Sequence, residues 1–169
     1  MVVLFMLINL IGFNVSWFGL VYWGNNFIPI AFLLLLSHLF FQSKNYKELL
    51  LILVVSVIGI SIDSLLQQIR FFIFLESSHI PFWLMMLWAC FAATICHSLN
   101  FLASSKILQL AVGGLISPLS YLAGYKFMVV DFGYSILITY AVLALVWGGL
   151  FILFYCLKGK IMKGEMSHV

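Results

Sequence analysis

The sequence predicts an all-α integral membrane protein: one polytopic helical bundle, residues 1–169, with about six spans and both termini cytoplasmic. Three observations lead there. The chain of 169 residues is 65% hydrophobic and only 8% charged, whereas ordinary soluble domains are about a quarter charged. A chain of this size cannot hide so much apolar surface from water. Its apolar residues also come in runs close to the roughly 20 needed to cross about 30 Å of hydrocarbon at about 1.5 Å per residue. Runs such as AFLLLLSHLFF lack the period-two alternation of barrel strands. Finally, Lys and Arg fall unevenly between alternate breaks, the mark of a defined orientation.

Taken in order, the segments are about 2–23, 27–42, 48–68, 82–103, 107–126 and 133–157. The first has no basic leader and no small-x-small cleavage pattern, so it reads as a retained span. The second is short for a bilayer and implies local thinning or little tilt. The fourth opens at Pro81, in a first turn where the missing N–H costs nothing. The fifth contains Pro118, which cannot donate to the carbonyl of Gly114. A kink is expected there, beside Ser117, Ser120 and Tyr121. The breaks GNN, QSKNYKE, RFFIFLESSHI, ASSK and MVVDF carry the polar and turn residues that the spans lack. Lys44, Lys47, Lys106, Lys158, Lys160 and Lys163 fall on one side, Arg70 and Lys126 on the other. That bias places both ends inside.

The net charge of +3 is explained by orientation, the tail KGKIMKGEM included. It calls for no nucleic-acid partner and leaves membrane lipids as the natural one. Cys90, Cys96 and Cys156 lie within spans without a Cys-x-x-Cys pattern and read as small apolar residues. No P-loop, HExxH or GxSxG motif is present. Small residues recur at helical spacing in the odd-numbered segments: Gly12, Ser16 and Gly19; Ser56 and Gly59, continued by Asp63; Gly113, Ser117, Ser120 and Gly124. Close approach through small residues drives helix association in lipid, so these three segments are expected at the centre.

Ionisable groups within spans are costly and face partners or water. By depth they form two layers. The outer layer holds Asn14, Trp17, Asp63, Ser120 and Tyr121, with Asp63 roughly 7 Å below its boundary. The inner layer holds His38, His97, Ser98 and Asn100, with the histidines roughly 6 and 9 Å deep. About 15 Å along the normal separates Asp63 from the histidines, which rules against an Asp–His dyad or a metal shared between them. His97 is expected to face the bundle and to bond His38 or Asn100, with proton transfer or ligand contact as the functional alternative. Asp63 either pairs with Arg70 or binds a ligand or proton. With two imidazoles at the inner level, neither a metal nor another cofactor is expected.

The stretches NLIGFNVSWFGLVY, SIDSLL, PFWLMMLWACFAATICHSL and GGLISPLSYLAG occur in an order and spacing that resembles domain-of-unknown-function family 2878, small proteins of the bacterial inner membrane. The most specific parts are Trp83, Trp88, Thr94, His97, Ser98 and Leu99, and the run Pro118 to Tyr121. Position by position, the resemblance points to Asn9, Trp17, Asp63, Trp88, Thr94, His97, Ser98, Pro118, Ser120 and Tyr121. Asn14 departs from the Gln expected in relatives but keeps the amide. The resemblance implies six passes and supplies no activity.

A small solute- or lipid-binding or transport bundle is the function these features favour. Its size and topology are also similar to substrate-binding components of energy-coupling vitamin transporters, which act with partner membrane subunits. An intramembrane enzyme or accessory protein of lipid metabolism is the alternative, with His97 or Asp63 as acid or base. A scaffold without a ligand is the third reading, and the buried polar residues weigh against it.

Overall fold

The computed structural model describes residues 2–43, 45–74 and 79–163. Lys44, counted above toward orientation, residues 75–78 of the third break, and the tail from 164 onward lie outside the described residues, as does the side chain of Lys163. Four helical stretches are long and apolar enough to cross a membrane: Val3–Phe41, Tyr46–Gln68, Lys106–Lys126 and Ile136–Met162. Phe82–Ala92 is apolar but shorter.

The first stretch contains two helices, α1 (Val2–Trp23) and α2 (Ile28–Phe41), joined by a single 3₁₀ turn at Gly24–Phe27. Gly24 takes φ +57 there, a conformation glycine adopts without strain. Pro29 sits in the first turn of α2, where its missing N–H has no intrahelical partner to lose. The two helices pack on each other. Helix α3 (Tyr46–Gln68) begins at Asn45, whose side chain accepts from Lys47 N at 3.0 Å. Glu48 falls in its first turn, where the helix dipole favours a negative charge.

The fourth segment departs most from expectation. Helix α4 (Phe82–Ala92) stops well short of 103. Residues 93–99 follow as turns and Asn100–Ser104 as a 3₁₀ helix. A continuing α-helix would pair the carbonyls of Ala93 and Thr94 with the amides of His97 and Ser98. Instead His97 N and Leu99 N both donate to Thr94 O, at 3.0 and 2.9 Å. The Thr94 hydroxyl bonds back to Phe91 O at 2.6 Å, a local competition that weakens helices. The groups left over are taken up by side chains from elsewhere in the bundle.

Helix α5 (Lys106–Lys126) is capped by Ser105 and winds as a π-helix over Val112–Ile116. Pro118 follows directly, so the irregularity expected at the Pro118–Gly114 pair takes this form. Helix α6 (Ile136–Lys163) completes the bundle. A two-residue antiparallel ribbon, β1 (Phe72–Ile73) with β2 (Asp131–Phe132), ties the α3–α4 and α5–α6 connections together in register Phe72↔Phe132 and Ile73↔Asp131. The all-α class holds with this small addition.

The odd-numbered segments do not form the centre. Helix α4 packs on α1, α2 and α3, while α6 packs on α3 and on α5. The small residues meet other helices rather than one another: some seat bulky side chains, and Gly113 and Gly114 let the backbone of α6 come close. A Cβ on Gly59 would run into the Trp88 ring, and one on Gly113 into Trp147 O and the Phe151 ring; Gly12 faces open space. Trp88 and Trp147 stack with centroids 4.9 Å apart and planes 6° from parallel, edged by Phe91 and Phe154. The core is therefore an aromatic column between α4 and α6.

Candidate functional site

The unwound segment after α4 lies among helices, and irregular backbone at membrane depth is tolerated only where its polar groups find partners. Asn9 on α1 supplies two of them. Its Nδ2 donates to Ala93 O at 3.3 Å and its Oδ1 accepts from Ser98 N at 3.2 Å, the two groups that the helix interruption leaves free. The same oxygen accepts from Ser98 Oγ at 2.6 Å. From α6, Lys158 Nζ donates to Ile95 O at 2.8 Å and Tyr155 OH to Leu99 O at 2.6 Å. Gln109 Nε2 on α5 donates to Leu102 O at 2.9 Å. Four side chains from three helices thus hold the break open.

The break turns His97 toward the start of α3. His97 Nε2 lies 2.7 Å from Glu48 Oε1, and His38 Nε2, at the end of α2, lies 3.1 Å from the same oxygen. The imidazoles meet edge to face with centroids 4.6 Å apart. His38 Nδ1 lies 3.2 Å from Asn9 Nδ2. His38 and Glu48 are buried, and His97 is partly so. Among the described residues, His38, Glu48 and His97 form a group of metal-type donors whose ligand atoms all lie within 4.8 Å of one another.

The structure brings His38, His97 and Ser98 together around Asn9 and Glu48. The His97 ring bonds neither the His38 ring nor the Asn100 side chain; Glu48 bridges the two rings, and Asn100 meets His97 only through its backbone N–H, which donates to His97 O at 3.0 Å. Asn100 is exposed and accepts from Lys158 Nζ. Glu48 is a third donor at this level; it reads in sequence as part of a polar break but sits in the first turn of an apolar helix. Phe101, in the 3₁₀ stretch beyond the break, is 56% exposed.

The outer layer is separate. Asp63 is 1% exposed and accepts from Trp88 Nε1 at 2.7 Å on one oxygen and from Tyr121 OH at 2.9 Å on the other. Gly59, one turn earlier on the same face, leaves the space through which Trp88 reaches it. Tyr121 is in turn stacked on Phe72 of β1, at 4.9 Å and 11°. These two donors, not Arg70, are the partners of Asp63; Arg70 is exposed.

Between α1 on one side and α5 on the other lies a cavity of about 280 Å³, with α4 and α6 as its back wall. Trp17, Trp83, Trp88 and Trp147 line it, four of the five tryptophans in the chain. Asn14, Ser120 and Tyr121 add polar atoms in its wall, and Thr94 and Ser98 add others from the unwound segment. Asn14 itself bonds back to Leu10 O at 2.8 Å. Asp63 stands behind the Trp88–Tyr121 wall and does not line the cavity. A second cavity, of about 490 Å³, lies between α1 and α2, with Asn9, Ser37, His38 and Gln42 among its lining residues. Asn9 and Ser98 are part of the partition between the two.

Residues 6–153 match the family described as protein of unknown function (DUF2878). The chain belongs to this family. Neither a curated protein nor a solved structure matches it. The family description indicates no activity, so function rests on the geometry above.

Proposed function

We propose that this chain is a multi-pass protein of the bacterial inner membrane that binds the apolar portion of a lipid or other hydrophobic solute in the cavity between α1 and α5. The observation that carries the reading is the cavity itself. It is walled by four tryptophans and by aliphatic and phenyl groups, with a few polar atoms placed along it, the composition typical of sites for largely apolar ligands. An interrupted membrane helix at its edge adds support. Unwound segments recur at substrate sites of membrane transporters, where freed backbone groups face the substrate or ion.

Six spans with both termini cytoplasmic fit this reading. The α1–α2 hairpin counts as two passes, and α4 with the unwound segment as one. The Lys and Arg imbalance sets the orientation. The β ribbon brings the connections bearing Arg70 and Lys126 together at one end, away from the His38–Glu48–His97 group and Lys158. Partner membrane subunits are compatible with transport by so small a chain, which has no motif for nucleotide hydrolysis.

Tryptophan fluorescence tests the proposal directly. Trp23, which is exposed and outside the cavity, is first replaced by Phe. Titration of the detergent-solubilised variant with phospholipid brominated on one acyl chain is expected to quench emission saturably. Ser120→Phe, which places a ring in the cavity, is expected to remove the saturable part. Linear quenching unaffected by Ser120→Phe would show that lipid contacts only the outer surface and would overturn the reading.

A further inference from the structure

We propose that His38, Glu48 and His97 are protein ligands of one borderline divalent transition-metal ion of the Zn(II) class. Three donors arrive from three separate elements: the end of α2, the first turn of α3, and the unwound segment after α4. Both imidazoles direct Nε2 at one carboxylate oxygen, at 3.1 and 2.7 Å, and all the ligand atoms fall within 4.8 Å of one another. An ion bonded at roughly 2.0–2.1 Å in tetrahedral geometry sets its ligand atoms about 3.3 Å apart. Modest opening of the two His–Glu contacts and closure of the third edge would therefore suffice. Two imidazoles and one carboxylate are the donor set of mononuclear sites that keep a position for water or substrate. Burying a carboxylate within a membrane bundle is costly without nearby positive charge, and a divalent ion provides it.

The surroundings impose one requirement. An ion on Nε2 of a neutral imidazole leaves the proton on Nδ1, which must donate to an acceptor. Asn9 now directs its amide nitrogen at His38 Nδ1, while donating to Ala93 O and accepting from Ser98 N. With the ion bound, the amide must turn to offer its oxygen to Nδ1; its nitrogen then faces Ser98 Oγ, which can accept from it, and the present bonds to Ala93 O and from Ser98 N are given up. Metal loading is thus coupled to the same side chain that holds the helix break, in the partition between the two cavities. The chemistry assigned is binding of a Lewis-acidic ion, independent of what the cavity between α1 and α5 holds.

The experiment uses full-length protein carrying a non-metal-binding affinity tag, stripped with a chelator in detergent. Co(II) is titrated as a spectroscopic probe, with Zn(II) as competitor. One equivalent of Co(II) is expected to give a saturating ligand-field spectrum that Zn(II) abolishes. Binding should weaken on acidification, because protons compete for the imidazoles. His38→Gln, Glu48→Gln and His97→Gln should each weaken it by more than tenfold. Asn9→Asp, which supplies a fixed acceptor for Nδ1–H, should tighten it on the order of tenfold, the scale of outer-shell effects. If Glu48→Gln does not fold, His97→Gln, at the least buried of the three positions, carries the comparison. The absence of saturable Co(II) and Zn(II) binding by the unaltered protein, or binding indifferent to these substitutions, would overturn the assignment. The cluster would then be a hydrogen-bonded clamp on Glu48.

Discussion

Asn9→Leu removes an amide and keeps the number and branching of its heavy atoms, so it probes chiefly the hydrogen bonds. Its loss leaves Ala93 O and Ser98 N without the partners that replace their helical ones. Ser98 Oγ and His38 Nδ1 also lose a contact, but a hydroxyl can rotate and the histidine lines a cavity. Counting only the two backbone groups, at about 1–3 kcal/mol for each buried group left unmade, the expected destabilisation is about 2–6 kcal/mol. Side-chain hydrogen bonds measured within membrane proteins average only about 0.6 kcal/mol, which favours the lower half of that range. Asn14→Leu on the same helix is the control. Its amide is exposed and bonds only its own helix in the described contacts, and it should change stability by less than about 1 kcal/mol. Unfolding in mixed micelles, together with hydrogen exchange at residues 93–100, reads both variants. Faster exchange at 93–100 in Asn9→Leu alone is expected. Equal stability and exchange in the two variants would refute the claim that Asn9 holds the break.

Other substitutions probe the outer layer and the topology. Gly59→Leu fills the seat of Trp88 and should cost several kcal/mol, whereas Gly12→Ala, facing open space, should be neutral within about 0.5 kcal/mol; similar melting temperatures would contradict the seat. Trp88→Phe and Tyr121→Phe each strip one donor from the buried Asp63 and should cost about 1–3 kcal/mol. Either loss should become smaller once Asp63→Asn has removed the carboxylate, and a double-mutant cycle measures that coupling. An impermeant maleimide applied to intact cells should label a cysteine at Met128 but not one at Ser43. The opposite pattern would reverse the orientation.

Much of the architecture was legible because lipid imposes it. Apolar run length and the polar breaks marked α1, α2, α3 and α5 to within a few residues and α6 short of its last six, and Pro118 marked the irregularity in α5. Asp63 and the two histidines bond to different partners. What escaped depends on contacts distant in sequence. Nothing in TICHSLNF forbids a helix; its interruption is sustained by Asn9, 84 residues before Ala93, and by Lys158 and Tyr155 from the far end of the chain. The β ribbon has two-residue strands with no turn between them, so no hairpin signal exists. Glu48 looked like part of a charged break beside Lys47. The available clue was its place in the first turn of an apolar helix, ten residues after His38 across a short connection. Asp63 was recognised as important, but its partners are aromatic donors on α4 and α5 rather than the arginine on its own face.

The interruption of the helix after Ala92 brings His97 to Glu48 and Ser98 to the cavity. Solid-state NMR of the protein in lipid bilayers, labelled so that the Cα and carbonyl shifts of residues 82–104 are assigned, tests it most directly. Helical shifts through Ala92 and a departure from helical values across 93–99 are expected. Uninterrupted helical shifts through to 103 would contradict it.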